Sequence, residues 1–68
     1  MKLTKREIEI IEKISEGLCS KEIANVLYIS VRTVETHRKN IKLKLGYNNF
    51  YSVLSYAFQN NILQISSN

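Results

Sequence analysis

The chain has 68 residues, with 10 Lys and Arg against 6 acidic residues, all of them Glu, and a net charge of +4 with its one His neutral. This length allows a single domain over residues 1–68, and one Cys, two Gly and no Pro exclude an internal disulfide, a Cys-rich zinc site and a turn-rich β-sandwich. No apolar stretch approaches the roughly 20 residues that span a bilayer and no signal-peptide pattern opens the chain, so we expect a cytoplasmic protein.

The first predicted helix covers about residues 5–16. Thr4 and Glu7 form a capping-box pattern at its start, in which each side chain accepts a free backbone N–H. Gly17 suits the left-handed conformation that ends a helix. Apolar residues spaced three or four apart predict its buried stripe, with Ile10 to one side. That stripe consists of Ile8, Ile11, Ile14 and Leu18.

A second, shorter helix is predicted at about 20–27. Either Ser20 caps it, or Cys19 stands at the cap position without a good acceptor. Its buried face is formed by Ile23, Ala24 and Leu27.

The third predicted helix begins after Ser30, a strong N-cap residue, covers about 31–45 and ends at Gly46. One face is apolar and belongs to the core: Val31, Val34, Ile41 and Leu45. The opposite face is mostly polar and basic, with Glu35 and Thr33 on its flanks: Arg32, Thr36, Lys39 and Leu43. Residues 30–45 carry five cations and one Glu, and so account for the net charge of the whole chain. Such a concentrated basic stripe is typical of phosphate binding, although a solvated helix face is the alternative.

The fourth predicted helix, about 49–60, is apolar on two sides. One side is formed by Phe50, Val53, Tyr56 and Ala57, and the other by Tyr51, Leu54 and Phe58. A domain this small cannot bury both sides, so self-association is the simplest prediction. The alternatives are a missing partner domain or insertion into a membrane surface, and the lack of Lys and Arg on this helix argues against the membrane. The last residues, 65–68, are expected to be frayed.

The second and third helices, joined by Tyr28-Ile29-Ser30, have the proportions of a helix-turn-helix unit. In such units the second helix lies in the major groove of DNA with its N-terminal half at the base edges. Arg and Lys can donate to guanine, Glu can accept from cytosine, and Thr can contact thymine or a phosphate. For Glu35, base recognition and a solvated ion pair with Lys39 are equally good interpretations.

Three stretches of the sequence, followed by an ungapped match as far as Ile62-Leu63, resemble the LuxR/FixJ-type, or GerE-type, helix-turn-helix domain. These stretches are Leu3-Thr4-Lys5-Arg6-Glu7, Lys21-Glu22-Ile23-Ala24 and Thr33-Val34-Glu35-Thr36-His37-Arg38. The resemblance covers about residues 3–63 and is specific as a combination. It implies an all-α, four-helix DNA-binding domain of a bacterial transcriptional regulator, with the recognition helix third and the dimerisation helix fourth.

The resemblance also implies roles for individual residues. Base contacts are expected at Glu35, Thr36 and Lys39. Phosphate contacts are expected at Lys21, Arg32, Thr33 and Arg38. Dimer contacts are expected on the second apolar side of the fourth helix and at the adjacent serine. These residues are Tyr51, Leu54, Ser55 and Phe58.

Four positions depart from the family pattern. Cys19 replaces a usual Ser or Thr and weakens the second cap, and a structural thiol is a better interpretation than a redox sensor. Phe50 stands where Arg is common and removes a charge there. Asn61 replaces a usual Gly and is the next best left-handed cap. Leu43 faces outward where Arg is frequent.

His37 lacks the partners that a metal site or a catalytic dyad needs, so we expect a packing residue and no enzyme, cofactor or metal. Two alternatives to a dimeric DNA-binding regulator stay open. One is a domain like region four of a sigma factor, which also binds RNA polymerase, and the other is a protein-interaction module that does not bind DNA. The chain fits either a stand-alone regulator or the output domain of a response regulator.

Overall fold

A computed structural model describes residues 2–63, which form four α-helices and no strand. The helices are α1 (Lys5–Ser15), α2 (Ser20–Leu27), α3 (Val31–Leu45) and α4 (Phe50–Gln59). The predicted all-α architecture is therefore confirmed, with α2 and α3 on their predicted bounds. Helices α1 and α4 are slightly shorter than predicted. The predicted fraying of residues 65–68 lies outside the described residues.

The starts of α1, α3 and α4 are each capped by a side-chain oxygen of the preceding residue. The capping box of α1 is confirmed, because Thr4 Oγ1 accepts from the Glu7 N–H at 3.1 Å and Glu7 Oε1 accepts from the Thr4 N–H at 2.8 Å. Ser30 Oγ accepts from the Thr33 N–H at 3.0 Å and caps α3. At α4, Asn49 Oδ1 accepts from the Ser52 N–H at 2.8 Å. Each of these caps satisfies N–H groups that have no partner within the helix.

All four helices end in a left-handed residue followed by a backbone hydrogen bond back into the last turn. The left-handed residues are Gly17, Tyr28, Gly46 and Asn61. After α3, for example, the Tyr47 N–H donates to the Lys42 carbonyl at 3.0 Å and the Gly46 N–H to the Leu43 carbonyl at 3.3 Å. This pair of bonds is the Schellman motif, which turns the chain sharply enough to pack short helices against each other.

The core is an apolar cluster to which every helix contributes. Its fully buried members are Ile10, Ile11, Ile23, Val34, Ile41, Val53 and Ala57, with Ala24 and Leu63 nearly so. One prediction about it was wrong, because Val31 of α3 is 44% exposed. It stands in the first turn of α3, and its place on the apolar side of the helix wheel does not by itself bury it. Ile10, predicted beside the buried stripe of α1, is fully buried and so widens that stripe.

A buried ion pair joins the start of α1 to the end of α3. Glu7 is only 4% exposed, and its Oε1 lies 2.8 Å from Lys44 Nζ. The same oxygen accepts the Thr4 N–H, so one carboxylate both caps α1 and fastens it to α3. The pair therefore helps to set the position of α3 on the domain, and α3 is the helix that carries the candidate interface.

Candidate nucleic-acid interface

Helix α3 is sharply divided between a buried and an exposed side. Val34 and Ile41 are fully buried, whereas the predicted base-contact residues Glu35, Thr36 and Lys39 are all exposed. Their spacing of one and three residues places the three side chains on one side of the helix. A stiff helix of 15 residues, held on α1 and α2 by its other face, therefore presents these groups together to solvent.

The predicted phosphate-contact residues lie around this surface. Arg32 and Thr33 are exposed in the first turn of α3, and Lys21 is exposed in the first turn of α2. Thr33 Oγ1 is 2.9 Å from Ser30 Oγ, so its hydroxyl already takes part in the cap. Helix N-termini concentrate free N–H groups and partial positive charge, which favours an anion in front of α2 and α3.

The start of α2 has a sulfur where the other three helices have a capping oxygen. Cys19 is the N-cap residue and offers only a weak sulfur acceptor, which is one of the two alternatives that the sequence left open, and Ser20 is the first helical residue. Glu22 compensates by accepting the Cys19 N–H at 2.9 Å. This hydrogen bond from Cys19 lowers the pKa of the Glu22 carboxyl and keeps it ionised.

Arg38 differs from the other predicted phosphate contacts, because it is half-buried and its guanidinium lies over the ring of Phe50, 4.7 Å from the centroid. This cation–π contact joins α3 to the first turn of α4. At position 50, where Arg is common in the family pattern, this chain has Phe50, whose ring contacts Arg38 of α3. Sequence reasoning missed the pairing, since residues 12 apart in different helices give no local signal.

Lys44 does not belong to the free charge of the basic stripe. Its side chain is engaged by Glu7, and burial, which raises the pKa of that carboxyl, is outweighed by the hydrogen bonds from Lys44 and Thr4, so the pKa lies below its ordinary value. The cations of α3 that remain at the surface are Arg32, Lys39 and, at its half-buried edge, Lys42. The basic surface therefore runs along α3 from Arg32 in its first turn, past Lys39 near its middle, to Lys42, and the predicted base contacts lie within this stretch.

The outer side of α4 forms a second surface. Tyr51 is 81% exposed and Phe58 is also exposed, while Ser55 is half-buried. Leu54 packs partly against the core, so it is shared between the domain interior and this surface. The inner side, with Val53 and Ala57, is fully buried. The predicted division of α4 into two apolar sides is therefore confirmed, and the outer one has no cover within residues 2–63.

His37 is half-buried on the flank of α3. Among residues 2–63, no group of three His, Cys, Asp or Glu side chains could hold a metal ion. Within the same part of the chain, no helix is both long and apolar enough to cross a membrane.

Comparisons with known proteins give this surface a family context. Residues 1–57 match the GerE family, described as bacterial regulatory proteins of the luxR family. The chain is 42% identical over 62 residues to the oxygen regulatory protein NreC of Staphylococcus aureus strains JH9 and NCTC 8325, covering 91% of the chain and 29% of each relative. A crystal structure of the response regulator ChrA from a heme-sensing two-component system superimposes with a TM-score of 0.85 at 36% identity, over 93% of this chain and 31% of that one.

The chain thus spans less than a third of the length of these relatives. Both are described as regulators, neither name is that of an enzyme, and the matched family separates this chain from the sigma-factor alternative. The match, the four-helix fold and the exposed basic side of α3 lead to one conclusion: the chain belongs to the luxR family of bacterial regulatory proteins and is a helix-turn-helix, DNA-binding domain of a transcriptional regulator.

Proposed function

We propose that this domain recognises a specific duplex sequence by placing α3 in the major groove and that it binds as a homodimer through α4. One observation carries the proposal: Glu35, Thr36 and Lys39 are exposed together on a helix whose opposite side fully buries Val34 and Ile41. A glutamate that faces DNA is repelled by the phosphates. The presence of Glu35 beside Lys39 therefore favours base recognition over attraction to phosphates alone. In this arrangement Lys39 donates to guanine, Glu35 accepts from cytosine and Thr36 contacts thymine or a base edge.

Backbone contacts would hold the helix in register. Lys21 in the first turn of α2 and Arg32 in the first turn of α3 supply exposed charges, and Thr33 supplies an exposed hydroxyl. Arg38 reaches a phosphate only if its guanidinium keeps an edge free while its face lies on Phe50. Such contacts determine orientation and affinity, whereas base-edge contacts determine sequence preference.

The dimer is supported by the uncovered outer side of α4. Tyr51, Leu54, Ser55 and Phe58 lie on this side, and α4 has no charged side chain that burial would leave unpaired. Pairing two copies through this helix would give a two-fold assembly with two copies of α3 for two half-sites. An inverted repeat in the bound DNA is therefore expected.

The test is selection of bound duplexes from a random-sequence library with the 68-residue chain, followed by affinity measurements over a salt series. A specific binder enriches one motif, as two inverted half-sites if it is dimeric, and its affinity falls steeply as salt rises because phosphate contacts release counterions. No enrichment together with flat salt dependence would favour a protein-interaction module.

Two further features belong to the proposal. Since its target is bacterial chromosomal DNA, the domain would act in the cytoplasm, either alone or as the output domain of a longer response regulator. Contact with RNA polymerase stays a prediction, to be tested by adding the polymerase to the complex of this chain with its selected duplex and measuring whether affinity changes.

A further inference from the structure

Tyr28 is an unusual residue for the left-handed position at the end of α2. Three of the four helices in residues 2–63 end at Gly or Asn, the residues that adopt positive φ most readily, but α2 ends at Tyr28 with φ of 59° and ψ of 42°. The conformation is fixed by the Ile29 N–H, which donates to the Ala24 carbonyl at 3.0 Å. A tyrosine here carries backbone strain that glycine would relieve.

The ring of Tyr28 does nothing for the fold that would offset this strain. The residue is 94% exposed, more than any other large apolar or aromatic residue described, so its ring stays in solvent. An exposed residue held in an unfavourable conformation points to a role outside folding. Such a role requires a group outside the domain that contacts the ring.

Its surroundings favour nucleic-acid backbone. Tyr28 stands two residues before Ser30, the N-cap of α3, and four before the exposed Arg32. From residue 23 to residue 34 the chain has no acidic side chain, so no side chain in the turn repels a phosphate. When the N-terminal half of α3 lies at the base edges, the turn that leads into it lies toward the wall of the groove, which is formed by the sugar-phosphate backbone.

We propose that Tyr28 is a further DNA-binding residue, which donates its hydroxyl to a phosphate oxygen beside the N-terminus of α3. This inference rests on the proposed function. Tyrosine is among the side chains that make such contacts, and its neutral hydroxyl adds a hydrogen bond without releasing a counterion. Because a phosphate carries no sequence information, the contact contributes equally on every duplex.

The test uses a fluorescently labelled pool of random-sequence 30-base-pair duplexes and measures the affinity of the intact chain over a salt series. Tyr28→Phe removes the hydroxyl and keeps the ring and the backbone strain, and we expect it to weaken binding about tenfold, the effect of one hydrogen bond to a charged oxygen. Tyr28→Gly should weaken binding as much while raising the midpoint of thermal unfolding. Both variants should keep the wild-type slope of log affinity against log salt concentration, whereas Arg32→Ala should reduce that slope by about one.

Asn61→Gly is the matched control, since it removes a side chain from the same backbone conformation at the end of α4. It should leave affinity unchanged, which separates loss of the Tyr28 side chain from any general effect of glycine at a helix end. If both Tyr28 variants bind like wild type while Arg32→Ala binds more weakly, the Tyr28 proposal is wrong and the proposed function stands. If wild type binds no duplex, both are wrong.

Discussion

Single residues decide how the proposed interface distinguishes sequences. Lys39 projects from the middle of the exposed side of α3 and has no ion-pair partner within residues 2–63. Lys39→Ala is expected to weaken binding to the selected duplex by about 1–3 kcal/mol and to relax the preference at one base pair. The measurement is fluorescence anisotropy with the selected duplex and with variants carrying each single base change.

Lys5→Ala is the control for Lys39→Ala, because it removes the same charge from an exposed position of α1. It should change affinity little and leave the base preference intact. Equal losses for the two variants, with no change in preference, would mean that Lys39 contributes only charge.

Among the charged residues that the structure describes, Glu7 is the one whose loss should cost the fold most. Glu7→Gln leaves Lys44 partly buried without its counterion, and we expect about 1–3 kcal/mol lower stability in urea unfolding. Glu9→Gln breaks the Arg6–Glu9 pair, whose side chains are 41% and 50% exposed, and should cost less than about 0.5 kcal/mol. Similar losses of stability in Glu7→Gln and Glu9→Gln would show that the burial of the Glu7–Lys44 pair does not increase its contribution.

The same carboxylate predicts how stability depends on pH. Since the pKa of Glu7 is lower in the folded chain than its ordinary value, its contribution is complete above that ordinary value, about 4.3, and is lost as the pH falls through the folded pKa. Urea unfolding from about pH 6 down to about pH 3 should therefore show a steeper fall for wild type than for Glu7→Gln. Parallel curves would contradict this linkage.

At the scale of elements, the weakest terminus is the start of α2. Cys19 offers only a weak sulfur acceptor there, whereas Thr4, Ser30 and Asn49 each cap their helices through an oxygen. Cys19→Ser should supply an oxygen for a free N–H of the first turn and raise the free energy of unfolding by about 0.5–1 kcal/mol. Cys19→Ala has no acceptor and should stay close to wild type. If the Cys19→Ser variant is no more stable than the Cys19→Ala variant, an oxygen cap does not stabilise the start of α2.

At the scale of the whole molecule, α4 links the domain core to assembly. Its inner side is buried with Val53 and Ala57, and its outer side presents Tyr51 and Phe58 to solvent. Phe58→Glu should place a charge in the proposed dimer contact and leave a folded monomer, to be measured by analytical ultracentrifugation with circular dichroism as the check on folding.

A matched substitution completes this test. Val26→Glu also puts a charge on an exposed apolar residue, but on α2, and should leave dimers intact. A Phe58→Glu protein that still sediments as a dimer would place the dimer contact on another side of the molecule.

The sequence alone determined the helices, the caps of α1 and α3 and the side of α3 that carries the predicted base contacts. These features are local: a Thr–Glu capping box, Ser30 before α3, Gly46 after it and an apolar period of three to four residues depend on groups within one or two helical turns. The resemblance to one family, confirmed over residues 1–57, added the function of the domain.

Only the tertiary structure decided which side chains meet between helices. It paired Lys44 with Glu7, 37 positions away, and so removed one cation from the predicted basic stripe. It placed Arg38 on Phe50 and left Val31 exposed. The physical reason is that a helical period specifies which residues share a face, whereas burial and pairing depend on where neighbouring helices begin and end in space.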